Sequence, residues 1–211
     1  MIVALESASA DQSVAVADRT GAILDVAAWS AERGQGGELL PRLMELLAGR
    51  QASLRDVTGV AVGLGPGSFT GLRVGLALAK GIAVGLGCPI VGVGSLDAWL
   101  SAVPEATAAL VRAGAAEVYA LARGQAQPEV MSFAALPDTV RTHVVVAPRD
   151  LAASLGLTLA QPPDGAARAV ARLAVERLAG GPPDNLAELE PVYIRPPRGL
   201  RDVPLAPVTW L

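Results

Sequence analysis

The chain has one cysteine, Cys88, and one histidine, His143. A lone cysteine excludes an intrachain disulfide and fits a reducing compartment. A lone histidine excludes a metal centre built on clustered histidines. Aromatic residues make up 3% of the chain against 52% apolar residues overall. Alanine, valine, leucine and glycine must therefore fill the core, packed closely. Positive charge is not in excess: 17 Lys and Arg face 20 Asp and Glu, for a net charge of −3. That balance argues against a surface built to coat nucleic acid. Residues 1–6 carry no basic group and reach an acid at once, so no signal peptide is expected. Long clean apolar runs are missing too. Residues 74–93 come nearest to a membrane span, but Lys80, Pro89 and several glycines interrupt them. These absences point to a soluble cytoplasmic protein.

What is present is a glycine-rich stretch, Gly65-Pro66-Gly67-Ser68-Phe69-Thr70-Gly71-Leu72-Arg73. An apolar run at 59–64 leads into it and has the length of a buried strand. The glycines and proline then force a turn, and Ser68 or Thr70 is placed to cap the helix that follows, expected over 70–86. Strand, glycine loop and helix N-terminus together invite an anion. The spacing fits no standard phosphate loop. No Lys-Ser/Thr pair follows a glycine, and Ser68 or Thr70 stands where a dinucleotide fingerprint needs its third glycine. Gly67-Ser68 also lacks the residue that separates glycine from serine in a hydrolase elbow. The helix is costly, because each interior glycine loses about 1 kcal/mol against alanine. Close approach of another backbone would offset that. Two seams run along the helix: Leu72, Leu76, Ala79, Ala83 and Leu86 form one, and Gly71, Gly75, Leu78, Ile82 and Gly85 the other. Arg73 and Lys80 are seven apart and are expected at a rim.

Along the chain, apolar runs and turn signals predict a three-stranded meander at 2–5, 13–17 and 22–28. A flexible connection at 33–37 leads to a helix at 38–48 with Leu39, Leu43 and Leu47 on one side and Pro41 in its first turn. A strand is expected at 89–93, then a helix at 96–103 capped by Ser95. Pro104 marks a boundary between a lobe at 1–103 and another at 104–211. The second half restarts with strands at 108–112, 118–123, 129–133 and 142–146, which would put His143 in a strand. Helices at 149–155 and 165–178 follow, then a proline-rich, extended tail. Cys88 has no histidine near it in sequence and is expected to be buried and inert.

The glycine stretch, with Ala79-Lys80-Gly81-Ile82-Ala83 and Pro89-Ile90-Val91-Gly92-Val93-Gly94-Ser95-Leu96 after it, resembles the TsaB (YeaZ) family. Glu117-Val118-Tyr119 and Glu190-Pro191-Val192-Tyr193-Ile194-Arg195 match two later landmarks of that family. The resemblance implies an α/β fold of two lobes, the actin-like, sugar-kinase and heat-shock ATPase architecture, each lobe a mixed sheet with flanking helices. It implies a non-catalytic partner of TsaD, acting with the ATPase TsaE to place threonylcarbamoyl on the adenosine next to the anticodon of tRNA. It implies no cofactor bound tightly by this chain alone, with ATP and a divalent metal in the partner subunits. The first phosphate loop of that architecture follows a strand-end aspartate and contains glycine. Here Glu6 replaces the aspartate, and Ser7, Ala8 and Ser9 supply no glycine, so any pocket formed with Asp11 is degenerate. Glu6 and Asp11 are able to hold magnesium, but strand-end and turn roles are favoured. The chain also departs from the family pattern at 36–38, where only Glu38 remains of a His-Ser-Glu, and at 112–114.

The partner surface is expected on the two helices at 38–48 and 70–86, through Leu39, Leu43, Leu47, Gly71, Gly75, Leu78 and Ile82. That face would meet TsaD, or a second copy of this chain in an isologous dimer. Gly75 would either admit the partner helix or pack against its own sheet. Two other classes compete with the scaffold: a stand-alone ATP-dependent phosphotransferase, which needs intact phosphate loops, and a glycoprotease-like peptidase, for which no nucleophile with a base partner is visible.

Overall fold

Residues 2–6, 11–17 and 59–63 form strands that are buried at every position. A strand with no exposed side must be covered on both faces, and that requirement shapes the whole molecule. The computed structural model describes residues 1–31 and 36–194. Its first half runs β1 (Ile2–Glu6), β2 (Asp11–Ala17), β3 (Ile23–Ser30), α1 (Leu39–Gly49), β4 (Gly59–Gly63), α2 (Phe69–Leu86), β5 (Ile90–Val93) and α3 (Ser95–Ala102). The second half runs β6 (Ala108–Arg112), β7 (Glu117–Ala122), β8 (Glu129–Ser132), α4 (Thr139–Thr142), β9 (Val145–Val146), α5 (Arg149–Leu155), β10 (Ala160–Gln161) and α6 (Ala167–Gly180).

Both halves repeat one plan. The first sheet has the order β3-β2-β1-β4-β5 and the second β8-β7-β6-β9-β10. In each, three antiparallel strands come first and two parallel strands extend the sheet from the first of them. This is the two-lobed mixed-sheet architecture that the resemblance implied.

The helices divide the faces. On one side of the first sheet Val3, Leu5, Val14 and Val16 meet Leu39, Leu43 and Leu47 of α1 and Leu76, Ala79 and Ile82 of α2. On the other side Ile2, Ala4, Ala15 and Ala17 meet Ala167, Val170, Ala171 and Ala174 of α6. In return α3 packs against β6, β7 and α6. Each half's last helix thus covers the other half's sheet, and Trp99 of α3 is fully buried in the shared core. α6, though from the second half, belongs to the first sheet's layer, because α1 and α2 cover only one face of it. Arg123, just after β7, fixes α3 further, donating to the carbonyls of Leu100 and Val103 at the helix's C-terminal end and of Ala106 in the segment beyond it.

Smaller corrections follow from local chemistry. Residues 142–146 form only a two-residue strand, and His143 is exposed at the end of α4, its Nδ1 3.1 Å from Thr142 Oγ1. Ser95 does not cap α3. It is the first helical residue, and its hydroxyl is engaged elsewhere. Cys88 is half-buried rather than buried. The cap of α2 is Ser68, whose Oγ accepts from the Gly71 N–H at 3.2 Å. By length and composition α2 could cross a membrane, but here it is layered on the sheet with Leu72, Leu76, Ala79, Ile82 and Ala83 buried.

Residues 184–192 return along the edge of β5. Asp184 donates its N–H to the Ile90 carbonyl, its Oδ2 accepts from the Gly92 N–H at 2.7 Å, and the Val192 N–H reaches the Leu64 carbonyl at 2.8 Å. The expected extended tail beyond 194 and the expected flexible residues 33–35 lie outside the described residues.

The burial of α1 sets a stability test. Leu43 is 0% exposed and its neighbour Leu40 is 40% exposed. Leu43→Ala should cost about 2–5 kcal/mol in urea unfolding, and Leu40→Ala should stay within about 1 kcal/mol. Equal losses would mean that the inner and outer sides of α1 are misassigned.

Candidate functional site

The glycine loop is held by the chain's own backbone. Gly65 takes φ +93°, a left-handed value that suits glycine. Its N–H donates to Ser95 Oγ at 3.0 Å, and its carbonyl accepts from the Ser95 N–H at 2.9 Å. The Ser68 N–H donates to the Ala8 carbonyl at 2.7 Å. A Cβ on Gly67, Gly71 or Gly75 would lie 2.2 Å from Ala8 O, Ser7 O or Ser7 Oγ respectively. These three glycines admit the β1–β2 loop against the start of α2, and the Ser7 hydroxyl completes the contact by donating to the Gly71 carbonyl at 2.9 Å. Thr70 stays exposed.

The residues expected in a degenerate nucleotide pocket are all buried and bonded internally. Glu6 Oε1 accepts from the Ala8 N–H at 2.8 Å and from the Ser95 hydroxyl at 3.1 Å. Its Oε2 is buried without a partner, over Gly63, where a Cβ would stand 2.2 Å away. Burial pushes the Glu6 carboxyl up to about 7, against the lowering pull of its hydrogen bonds from Ala8, Ser95 and Ser7. Ser9 Oγ closes a tight turn, accepting from the Asp11 N–H and donating to the Asp11 carbonyl, both at 3.1 Å. Asp11 accepts from Arg149 Nη1 at 2.5 Å and from the Arg149 N–H at 2.9 Å. Glu6 and Asp11 therefore have separate partners. Among the described residues no three His, Cys, Asp or Glu gather as metal ligands.

A second cluster joins two sequence motifs that lie 120 residues apart. Arg73 Nε donates to the Tyr193 hydroxyl at 2.9 Å, and its guanidinium lies 3.8 Å from the Phe69 ring centroid. The Phe69 and Tyr193 rings are 5.6 Å apart. Reading the sequence found both motifs but not their contact. The one available signal was that each carried an aromatic residue in a chain poor in them.

The expected partner face is corrected. Leu39, Leu43 and Leu47 are 0% exposed, Ile82 is 7% exposed, Gly71 and Gly75 are buried, and Leu78 is half-buried. The regular leucine row of α1 is the row the sheet takes, and Gly75 serves its own β1–β2 loop. The outward side carries other residues: Leu40, Met44 and Val84, at 40%, 41% and 65% exposure, with Arg73, Ala77, Gly81 and Gly85 also exposed. A Cβ on Gly81 or Gly85 would meet nothing within 4 Å. Lys80, beside them, is half-buried.

The buried Glu6 carboxyl makes stability depend on pH. Its folded value of about 7 lies above the ordinary 4.5. Between those values the folded chain holds a proton that the unfolded chain has released. The stabilisation is full below pH 4.5 and is lost as pH rises through 7, on the order of 3 kcal/mol in all. Urea unfolding of the wild type and Glu6→Gln at pH 4.5 and 7.5 should show the wild type losing stability relative to the variant by that order. A constant difference between the two proteins would refute the assignment.

Known proteins match this arrangement. The family model for TsaD, tRNA N6-adenosine threonylcarbamoyltransferase, matches residues 30–174. The Escherichia coli tRNA threonylcarbamoyladenosine biosynthesis protein TsaB is 37% identical over 86 residues, 38% of this chain and 37% of that protein. The Haemophilus influenzae protein of the same name is 40% identical over 75 residues, 36% of this chain and 32% of its own length. The match thus spans about a third of those curated relatives. Among solved structures, YeaZ from Pseudomonas aeruginosa superposes with a TM-score of 0.69 at 20% identity, covering 92% of this chain and 99% of that one, a likeness of fold. A second Pseudomonas aeruginosa structure, described as similar to peptidase YEAZ, gives a TM-score of 0.68 at 23% identity, covering 92% of this chain and 99% of that one. The family model covers most of the chain, so the chain belongs to the family that model describes, TsaD, tRNA N6-adenosine threonylcarbamoyltransferase, and over about a third of its length it is similar to proteins named TsaB.

Proposed function

We propose that this chain serves tRNA threonylcarbamoyladenosine biosynthesis as a non-catalytic subunit that docks and activates a TsaD-type catalytic partner. The observation that carries the reading is the outward side of α1 and α2. Leu40 and Met44 on α1 and Val84 on α2 are exposed on helices whose other sides are buried, and on α2 Gly81 and Gly85, next to Val84, have open space above them. Apolar side chains next to bare backbone suit a partner helix at close range. The same surface would serve a homodimer when the catalytic partner is absent. TsaE would join the complex, tRNA would be engaged through the whole assembly, and ATP and a divalent metal would belong to the partner subunits. The work is that of the cytoplasm. Arg73 and Lys80 border the surface and offer positive charge to an acidic partner residue or a phosphate.

The non-catalytic part of the reading is supported by the β1–β2 loop. Glu6 and Asp11 are engaged by Ser95, Ala8 and Arg149, and the turn between them contains no glycine. A phosphate cradle needs free amides there.

Two experiments test the proposal. Gly81→Leu places a side chain in open space and replaces a poor helix former, so circular dichroism should show a fold at least as stable. The variant should lose binding to a TsaD-type partner, and self-association with it, by tenfold or more in sedimentation or calorimetric titration. Unchanged affinity would remove α2 from the interface. Separately, titration of the isolated chain with ATP and magnesium should give no dissociation constant in the micromolar range and no turnover. A micromolar constant would favour the phosphotransferase alternative.

A further inference from the structure

Two helices of the second half begin without a cap of their own. α5 follows Pro148 and α6 follows Ala166, and neither residue offers a side-chain acceptor to its helix. The first N–H groups of a helix have no intrahelical partner and need one from elsewhere. Both acceptors come from β2, in the other half of the chain. Asp11 Oδ2 accepts from the Arg149 N–H at 2.9 Å, and Ser13 Oγ accepts from the Ala167 N–H at 3.0 Å. Arg149 and Ala167 are the first residues of α5 and α6.

We propose that β2 is an interlobe clamp, in which Asp11 caps α5 across the lobe boundary while Ser13 caps α6, the helix of the first sheet's layer that packs against α3, so that the two sheets are held as one body. Their spacing makes this possible. Residues two apart on a strand share a face, and this face is the one that Ala15 and Ala17 turn to α6. Both capping residues are buried, Asp11 at 2% and Ser13 at 0% exposure. A buried carboxylate is tolerated only when paired. Asp11 has that pair in Arg149 Nη1 at 2.5 Å, and the same guanidinium binds Asp164 with its other arm. One strand therefore supplies a charged contact to α5 and a neutral contact to α6. Opening the lobes would break the Asp11–Arg149 contact and would part α6, held to β2 by Ser13, from α3, which packs against β6 and β7. A hinge-opening cycle of the sort that admits a ligand between lobes is thereby blocked at the start of β2. The clamp stands on contacts within the chain, so its failure would leave the proposed subunit role untouched.

Hydrogen exchange tests it. In the full chain carrying Asp11→Ala and Ser13→Ala, the Arg149 and Ala167 amides should exchange roughly five- to tenfold faster, as expected for lost helix caps. A purely local role would stop there. If the caps clamp the lobes, amides of α3, which neither residue touches, should also accelerate severalfold, and more in the double variant than in either single one. Unchanged α3 exchange in a folded double variant overturns the clamp, and unchanged Arg149 and Ala167 amides overturn the caps themselves. Should the double variant fail to fold, the two single variants are read in the same way, and the absence of any α3 response in both refutes the proposal.

Discussion

A sheet whose central strands have no exposed side must find cover for two faces, and the first half of this chain supplies cover for one. α1 and α2 occupy that face. The other is filled by α6, which arrives from the far end of the sequence, while α3 is given up to the second sheet. This exchange places long-range contacts at the centre of the molecule. It makes the two halves dependent on each other, and it explains why Trp99 and the alanines of α6 lie in a single core. Small residues serve there because α6 must approach the sheet closely, which an aromatic-poor composition allows.

The glycine motif gains its meaning from the same economy of space. Its glycines bring the β1–β2 loop within bonding distance of α2, and Ser7, Ala8 and Ser68 fasten the contact. Glu6 then sits between the ends of β1 and β4 and the start of α3, against Gly63 and Ser95. These groups join three loops to one another. The surplus of glycine on α2 divides accordingly. Gly71 and Gly75 look inward and admit Ser7, whereas Gly81 and Gly85 look outward with open space above them.

The return of residues 184–193 adds a third contribution. Asp184 seals the edge of β5 and shares Arg177 with the Gly92 carbonyl, and Tyr193 reaches Arg73 at the start of α2. The segment blunts an exposed edge strand and links α6 to the helix that carries the proposed docking side.

Much of the architecture was legible in the residues. The meander, the strand–glycine loop–helix unit, the first-turn Pro41 and the restart after Pro104 follow from apolar runs and turn residues, which are local properties. The family motif was equally local. Side-chain period placed Leu39, Leu43 and Leu47 on one row of α1 but could not say which way the row faced, since an apolar row suits a sheet as well as a partner. Only the tertiary structure decided that the sheet takes it and that Leu40 and Met44 turn outward. The same limit explains Gly75, whose neighbour Ser7 is distant in sequence, and Asp11, whose partner Arg149 lies in the other lobe. Sequence by itself determined which segments form and what each could bury. The pairing of those segments across the chain was decided by the need to cover both faces of each sheet, a condition that no local window contains.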